Sequence, residues 1–339
     1  MAFMDLTKYA RVSVLCLLFL SLFFTGIVQG QTCLTHGDID EPTRSALESA
    51  AKRYFDMAAG GDTGGLKQNA IPSLAANFSG VELAVTDSKA SLAGTQAHPR
   101  PPFLLKVEGT KPLERAEFLC GVFSKNGQTA NSAAFVIPNL SPGNYGMVTL
   151  NVAGTQKAQT VSFVLQQQGP DWKLAGFYVH ASQVVGHDAD WFAEKAQAFK
   201  TKGQSRNAWL YYLEARELAV PVPFMYTQTT DKLYDESHAL KPTDLPADGT
   251  TADLLAGGKT CKMTAMFPVA VGDELDVVVK YQAADVSHTS ETFKDNMAVI
   301  HALVSKYPEL RDAFGGVVAR AVEPSGRDYG SMLPMKEIK

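Results

Sequence analysis

Residues 160–181, TVSFVLQQQGPDWKLAGFYVHA, carry the clearest fold signal in the chain. Apolar residues occupy alternate positions on both sides of a turn at residues 168–171, as expected for two strands that each bury one face. The side chains expected on the buried faces are Val161, Phe163, Leu165, Trp172, Leu174 and Tyr178. The pattern predicts an antiparallel hairpin within a half-buried sheet.

Other apolar runs of strand length lie upstream of this hairpin. They are residues 81–85, Phe103–Val107, residues 118–123 and residues 148–152, the last with Val148, Leu150 and Val152 on one face. These runs predict the remaining strands of one curved antiparallel sheet.

Two helices are predicted before the strands. Residues 42–59 carry apolar side chains at helical spacing, and Asp40 suits the first turn. The predicted apolar stripe consists of Leu47, Ala51, Tyr54, Phe55 and Ala58. Glycines between residues 60 and 65 break the chain, and a shorter helix is expected at about residues 66–77. One helical layer on a curved antiparallel sheet is an α+β fold, which we expect to span residues 40–185.

A helical hairpin is predicted next, in a unit that spans residues 187–240. Its first helix is expected to begin at Asp188 or Asp190 and to end at Gly203, and its second helix to end at Pro221. The apolar side chains of the two helices are Phe192, Ala196, Phe199, Ala208, Tyr212, Ala215 and Ala219. The short connection predicts an antiparallel pair.

The last part of the chain predicts a linker and a small ββαβ domain. Residues 241–258 are rich in Pro, Asp, Thr and Gly, a composition typical of linkers, and the domain covers residues 259–339. Its strands are expected at residues 262–271, 275–281 and 316–322, with a helix through Phe293, Met297, Ile300, Val304 and Tyr307. The residues after Pro324 are compatible with a further strand or with an unpaired tail.

The N-terminus predicts export from the cytoplasm. Lys8 and Arg11 precede an uncharged apolar run at residues 12–28, and the small residues around Gly30 favour cleavage before Gln31. Residues 1–30 are therefore interpreted as a signal peptide of an extracytoplasmic, periplasmic or secreted protein. The alternative is a membrane anchor formed by residues 12–28, which would be short for a span. Lipidation of Cys33 is a third interpretation, but the residues before it lack a lipobox.

Charge and cysteine content narrow the functional classes. The formal net charge of the 339 residues is -4. The sequence therefore gives no sign of a basic face, and a nucleic-acid partner is not predicted. Past the predicted signal lie Cys33, Cys120 and Cys261, without the spacing of a zinc site. One disulfide and one free thiol are expected, and the sequence leaves all three pairings open.

Two stretches of the first unit resemble the NTF2-like (SnoaL-like) superfamily. Residues 54–62, YFDMAAGGD, are similar to the family's aromatic helix end followed by Gly-Asp, and residues 172–179, WKLAGFYV, are similar to its final strand. The resemblance implies a helix pair on a strongly curved sheet that forms a cone with an open pocket. The proline-rich residues 95–112 depart from the usual length of the middle strands.

The helical hairpin resembles a single tetratricopeptide unit. The residues that carry the likeness are Ala196, Phe199, Gly203, Ala208, Tyr212 and Ala215. Lys195 and Pro221 depart from the motif. Because one such unit cannot bury its own apolar face, the resemblance implies that the hairpin docks on a neighbouring domain and bridges the two others.

The candidate chemical groups are few. NTF2-like enzymes use a pocket Asp, Tyr or His, so Tyr178 and His180, with Tyr145 on an earlier strand, are the candidates that the resemblance implies. The opposing interpretation makes Tyr178 a core residue and His180 a solvated strand end without a carboxylate partner. The sequence therefore assigns no catalytic residue and no cofactor.

Metal and nucleophile interpretations are equally weak. His180, His187, Asp188 and Asp190 follow no ligand spacing, and the two aspartates suit helix caps better. His301 is expected at the boundary of an apolar stripe, and Cys120 in an apolar strand suits an inert thiol or a disulfide. No GxSxG, P-loop, HExxH or dinucleotide motif occurs.

The leading functional hypothesis is an exported, non-enzymatic protein that binds a small apolar ligand or a protein partner in a cone-like pocket. One alternative is a small-molecule isomerase, lyase or hydrolase that uses the same pocket. Another is a scaffold or assembly protein of the cell envelope. The sequence predicts no nucleic-acid partner, and membrane contact only through an uncleaved N-terminal segment.

Overall fold

The computed structural model describes residues 30–121, 123–124, 127–128, 132–153, 158–247 and 249–339. Apart from Gly30, the predicted signal peptide lies outside these ranges. Within them, no helix combines the length and the apolar character that a membrane crossing requires. The fold class is α+β, with largely antiparallel sheets, as the sequence predicts.

The helices fall into an N-terminal group, a central group and one C-terminal helix. In chain order they are α1 (Glu41–Gly60), α2 (Thr63–Gln68), α3 (Pro72–Ala76), α4 (Ser79–Leu92), α5 (Ala189–Thr201), α6 (Ser205–Ala219), α7 (Gln228–Ala239) and α8 (Thr289–Lys306). Two 3₁₀ helices follow at Pro308–Asp312 and Met335–Glu337. The first helix begins after Asp40, whose carboxylate accepts a hydrogen bond from the Thr43 N–H at 2.9 Å, as predicted for a cap.

The strands occupy most of the chain between the helical groups and after them. They are β1 (Gln31–Leu34), β2 (Gln96–Pro99), β3 (Phe103–Val107), β4 (Leu113–Cys120), β5 (Phe123–Ser124), β6 (Gly127–Gln128), β7 (Ala133–Leu140), β8 (Gly143–Ala153), β9 (Gln159–Gln168), β10 (Asp171–Ala181), β11 (Gln183–Val184), β12 (His187–Asp188), β13 (Met225–Thr227), β14 (Ala252–Ala256), β15 (Lys259–Val271), β16 (Glu274–Gln282), β17 (Gly316–Val322) and β18 (Asp328–Pro334).

Three sheets organise these strands. The large sheet has the order β1-β3-β8-β9-β10, with β2 paired to β8, and the small sheet has the order β13-β7-β4. The C-terminal sheet has the order β14-β15-β16-β17-β18 and is antiparallel except for β16 and β17, which α8 connects. The pairs β5–β6 and β11–β12 are short separate ladders.

The large sheet lies between the N-terminal helices and the small sheet. Its helix-facing side buries Phe163, Leu165 and Phe177 against Tyr54 and Phe55 of α1. Its other side packs on the small sheet through a second core, which includes Leu105, Phe118, Phe135, Met147 and Val164. The alternation of apolar residues along β8 and β9 follows this division, as predicted.

Close packing of α1 on the large sheet depends on a glycine. A Cβ atom on Gly146 of β8 would collide with the side chain of Leu47. The helix is also fixed by Tyr54, whose hydroxyl donates to the Trp172 carbonyl at 2.9 Å. All five residues of the predicted apolar stripe of α1 are buried.

A disulfide joins the two sheets of the N-terminal half. Cys33 of β1, at the edge of the large sheet, is bonded to Cys120 of β4 in the small sheet. Cys261 has no disulfide partner among the described residues, and burial raises the pKa of its thiol. The structure thus selects one of the three pairings that the sequence leaves open.

The helices α5 and α6 share one hydrophobic core with the C-terminal sheet and α8. Tyr211 of α6 belongs to this core, and its hydroxyl donates to the Ala313 carbonyl at 2.6 Å. Arg206 at the start of α6 forms ion pairs with Asp244 at 2.6 Å and with Glu309 at 2.9 Å. The chain then returns to the N-terminal half, because β13 pairs with β7.

Two predictions about the N-terminal helices were wrong. Residues 81–85 are not a strand but belong to α4, where Val81, Val85, Ser88 and Leu92 are buried at helical spacing. The single helix expected at residues 66–77 is two short helices, because Pro72 begins a new one. The segment between them bridges to β10 at Leu174.

The expected position of Tyr178 was also wrong. A bulge between Leu174 and Gly176 shifts the register of β10 by one residue, so Phe177 takes the helix-facing position. Tyr178 consequently packs on the opposite side, against the core of the small sheet.

The ββαβ prediction for the C-terminal domain was incomplete. Its three strands and its helix are present, but β14 and β18 extend the sheet on both edges. β14 lies within the residues expected to be a linker, and β18 lies in the stretch left open after Pro324.

Candidate functional site

A cleft of about 990 Å³ lies where the large sheet, α6 and the C-terminal sheet meet. We name it the junction cleft. Its walls come from the end of β10, the C-terminal half of α6, β13, α7 and β15. Its polar and charged lining includes Tyr178, His180, Glu214, Arg216, Glu217 and Asp231. The volume is at the upper end of the range of about 300 to 1,000 Å³ that is typical of small-molecule sites.

The junction cleft is not the space beneath the N-terminal helices. That space is filled by a packed core, in which the ring of Phe163 lies 6.1 Å from the ring of Tyr54 and 5.5 Å from that of Phe177. The junction cleft lies instead along β10, where Phe177, Tyr178, Val179 and His180 line it.

His180 lines the junction cleft and contacts α6. Its Nε2–H donates to the Glu217 carbonyl oxygen at 2.7 Å, and because a carbonyl only accepts, this nitrogen carries the hydrogen. The Glu217 carboxylate lies 4.0 Å from the same nitrogen. The sequence showed no carboxylate beside His180, but the fold supplies one from α6.

The two tyrosines considered from the sequence take different places. Tyr178 lines the junction cleft, its ring packs edge-on against Phe224 at 5.6 Å, and burial raises the pKa of its hydroxyl. Tyr145 is held between the two sheets of the N-terminal half, where it accepts from Gln166 and donates to the Ser141 carbonyl. The fold thus brings Tyr178 and His180 to one cleft and leaves Tyr145 in a core.

Glu214 is the group in the junction cleft that sequence reasoning missed. Burial raises the pKa of its carboxyl to about 7, and the negative charge of Glu217 adds to the shift. Neither a hydrogen bond nor a cation within the described ranges stabilises its ionised form. Arg216 is directed elsewhere, since its guanidinium carbon lies 4.9 Å from the centre of the Tyr234 ring.

One sequence signal pointed to Glu214. Residues 208–213 of α6, AWLYYL, are all apolar or aromatic, so such side chains cover every side of the helix before this position. A helix of that kind is enclosed by other elements. A carboxylate placed directly after such a stretch is expected to be partly desolvated, although the sequence alone does not show what surrounds it.

The residues considered for a metal do not come together. His187 stacks on Trp191 at 3.6 Å, and Asp188 accepts a hydrogen bond from the Trp191 N–H as the cap of α5. In the part of the chain that the structure describes, no three His, Cys, Asp or Glu side chains are grouped as metal ligands. His301 is exposed on α8.

Comparison of the chain with protein-family models, with curated proteins and with solved structures finds no match. The NTF2-like and tetratricopeptide-like resemblances therefore stay predictions.

Replacing Glu214 with glutamine should stabilise the protein at alkaline pH. The pKa of this carboxyl is raised from 4.5 in the unfolded chain to about 7 in the folded protein, so the folded state binds the proton more tightly. The contribution of Glu214 to stability is therefore most favourable below pH 4.5 and falls as the pH rises to about 7. At pH about 8 we expect E214Q to gain about 1 to 2 kcal/mol, less than the whole shift because the cleft admits water.

Urea unfolding of wild type and E214Q at pH about 4 and pH about 8 measures this gain. The control is Glu217→Gln, whose side chain is 73% exposed and should change stability little. A gain of equal size at both pH values would show that desolvation of the Glu214 charge is not its cause.

Proposed function

We propose that the chain is an exported, non-enzymatic binding protein whose ligand occupies the junction cleft. The observation that carries this proposal is an open cleft with apolar walls and one carboxyl, that of Glu214, without a protein partner. Sites of this kind combine apolar contact with a few polar groups that orient the ligand. The ligand is accordingly amphipathic, or is a segment of a partner protein.

The extracytoplasmic location belongs to the same proposal. The apolar leader at residues 12–28 supports export. The disulfide between Cys33 and Cys120 supports an oxidising compartment, because such bonds persist there and are rare in the cytosol.

Filling the junction cleft should abolish ligand retention. Ala84 of α4 lines the cleft, so Ala84→Trp places a large side chain in it. The matched control is Ala90→Trp on the exposed side of the same helix. Native mass spectrometry of protein purified from several hosts should show a retained ligand in wild type and A90W, and none in A84W.

An empty wild-type protein from every host, or equal retention by A84W, would reject this cleft as the binding site. Thermal unfolding of A84W checks that the variant is folded. Because the protein is proposed to bind without chemistry, the ligand should also be recovered unchanged after incubation.

A second candidate, an acid–base enzyme, is favoured by the group of Tyr178, His180 and Glu214 in one cleft. A carboxyl with a pKa of about 7 can exchange protons near neutral pH. Conversion of the retained ligand during incubation would select this candidate. The scaffold alternative has less support, because the faces of α5 and α6 that could grip a partner are buried against the C-terminal sheet.

A further inference from the structure

Among the described residues, none pairs with the outer edge of β10 where this strand lines the junction cleft. β10 is the last strand of the large sheet, and its ladder with β9 is regular from Gly176 onward. The Ser182 N–H donates to the Ala158 carbonyl at 3.0 Å, and hydrogen-bonded pairs alternate along an antiparallel ladder. The backbone N–H and C=O groups of Phe177 and Val179 consequently point away from β9.

These four backbone groups have no partner in the described part of the chain. Both residues line the junction cleft, and Phe177 is only 6% exposed. Backbone polar groups in folded proteins pair with protein groups or with water. The edge can therefore exchange hydrogen bonds with a molecule that displaces water from the cleft.

The same edge already pairs with an extended segment a few residues earlier. The Leu174 N–H donates to the Asn69 carbonyl at 2.9 Å, and the Ile71 N–H donates to the Leu174 carbonyl at 2.8 Å. Pro72 then begins α3 and ends this pairing. Within the described ranges, no segment continues this pairing along β10 beyond Leu174.

The strand β13 also lines the junction cleft, but its outward N–H groups already have partners. The Met225 N–H donates to the Val222 carbonyl at 3.2 Å, and the Thr227 N–H donates to the Thr230 hydroxyl at 2.8 Å. Its outward donors are therefore satisfied locally, which leaves β10 as the edge to which a strand can add.

The walls beside this edge supply apolar contacts and one charge. Ala84 of α4 lines the same cleft, as do Leu213 and Glu214 of α6. A cationic side chain at Glu214 would favour the ionised carboxylate and offset its repulsion with Glu217. An acidic side chain at the same position would meet both carboxylates, whereas the cation that lines the cleft, Arg216, lies over the Tyr234 ring.

We propose that the junction cleft binds an extended peptide, which adds as a strand to the outer edge of β10 and places a lysine or arginine side chain at Glu214. This inference rests on the proposed function and names its ligand class. In strand addition, backbone hydrogen bonds give affinity and pockets for alternate side chains give specificity. The Glu214 carboxylate would then select the basic residue.

Capture from peptide mixtures tests this proposal on the whole protein. One mixture contains acetylated and amidated pentapeptides with a fixed central lysine and every residue at the other positions, and the second has a central glutamate. We expect wild type to retain peptides from the lysine mixture in preference to the glutamate mixture. No retention, or no preference for lysine, would overturn the proposal.

A retained lysine peptide, labelled with fluorescein, then separates strand addition from other modes of binding. Val179→Pro removes the outward N–H without touching the ladder with β9, and Val179→Ala keeps the N–H. We expect V179P to bind about tenfold more weakly than V179A, and E214Q to bind about tenfold more weakly than wild type. Hydrogen exchange of the Val179 amide should slow when the peptide binds.

Equal affinity of V179P and V179A, or an unchanged Val179 exchange rate, would overturn strand addition even if peptides bind. A small ligand that is retained by wild type and lost in A84W, together with no peptide capture, would refute this inference and leave the proposed function intact. If wild type retains neither a peptide nor a small ligand, both this inference and the proposed function are rejected.

Discussion

Replacing Cys120 with serine is expected to destabilise the protein by about 4 to 5 kcal/mol. The disulfide to Cys33 spans 87 residues, and closing so long a loop removes much conformational freedom from the unfolded chain. The serine hydroxyl would also occupy a fully buried position. Urea unfolding of the oxidised wild type and of C120S, followed by circular dichroism, measures the difference.

Two comparisons separate the disulfide from other effects of the substitution. Cys261→Ser removes a thiol without a disulfide partner in the described ranges, and should cost much less. Reduction of wild type should reproduce most of the loss in C120S. A wild-type unfolding midpoint that does not move on reduction would contradict the prediction.

Replacing Tyr211 with alanine is expected to lower the free energy of unfolding by about 3 to 5 kcal/mol. Losses of this size occur when a core cannot collapse around the cavity that a large aromatic side chain leaves. Its ring lies 5.4 Å from that of Phe192, 5.0 Å from that of Phe199 and 5.8 Å from that of Phe314, so one side chain joins α5, α6 and the residues before β17. Tyr211→Ala therefore loosens α6 from the C-terminal sheet as well as leaving a cavity.

Tyr211→Phe is the matched control for the hydroxyl. It keeps the ring and loses only the hydrogen bond to the Ala313 carbonyl, which should cost about 1 kcal/mol. Thermal and urea unfolding of both variants give the two values. If Y211F were as unstable as Y211A, the hydrogen bond and not the ring packing would hold α6 in place.

Sequence periodicity predicted the elements whose apolar residues repeat clearly. The stripe of α1, the alternation in β8 and β9, and β17 at Gly316–Val322 were all recognised, because each buries one face of a regular element. The run at residues 81–85 failed, since a short apolar run fits a strand and a helix equally well.

Short edge strands were missed for a different reason. β1 and β14 have four and five residues, and Leu255 of β14 is 70% exposed, so neither shows a full alternating pattern. Their pairing comes from neighbouring strands and, for β1, from the disulfide. Such stabilisation is tertiary and leaves little trace in local sequence.

The candidate site was predicted in part. Tyr178 and His180 were recognised as a pair on one side of β10, and they do meet at one cleft. Glu214 was missed because its environment is created by a helix packed against distant strands. The bulge in β10 was missed as well. Because one added residue changes the side on which every later residue lies, the side expected for Tyr178 was wrong.

The link between β1 and β4 also determines how the molecule would respond to mechanical load. A pull on the chain ahead of Cys33 passes through the covalent bond to Cys120, and so bypasses the intervening α1, β3 and the rest of that loop. While the bond is intact, the residues between the two cysteines cannot lengthen under tension. Extension would begin in the chain that follows Cys120, which makes the N-terminal helices a mechanically protected part of the protein.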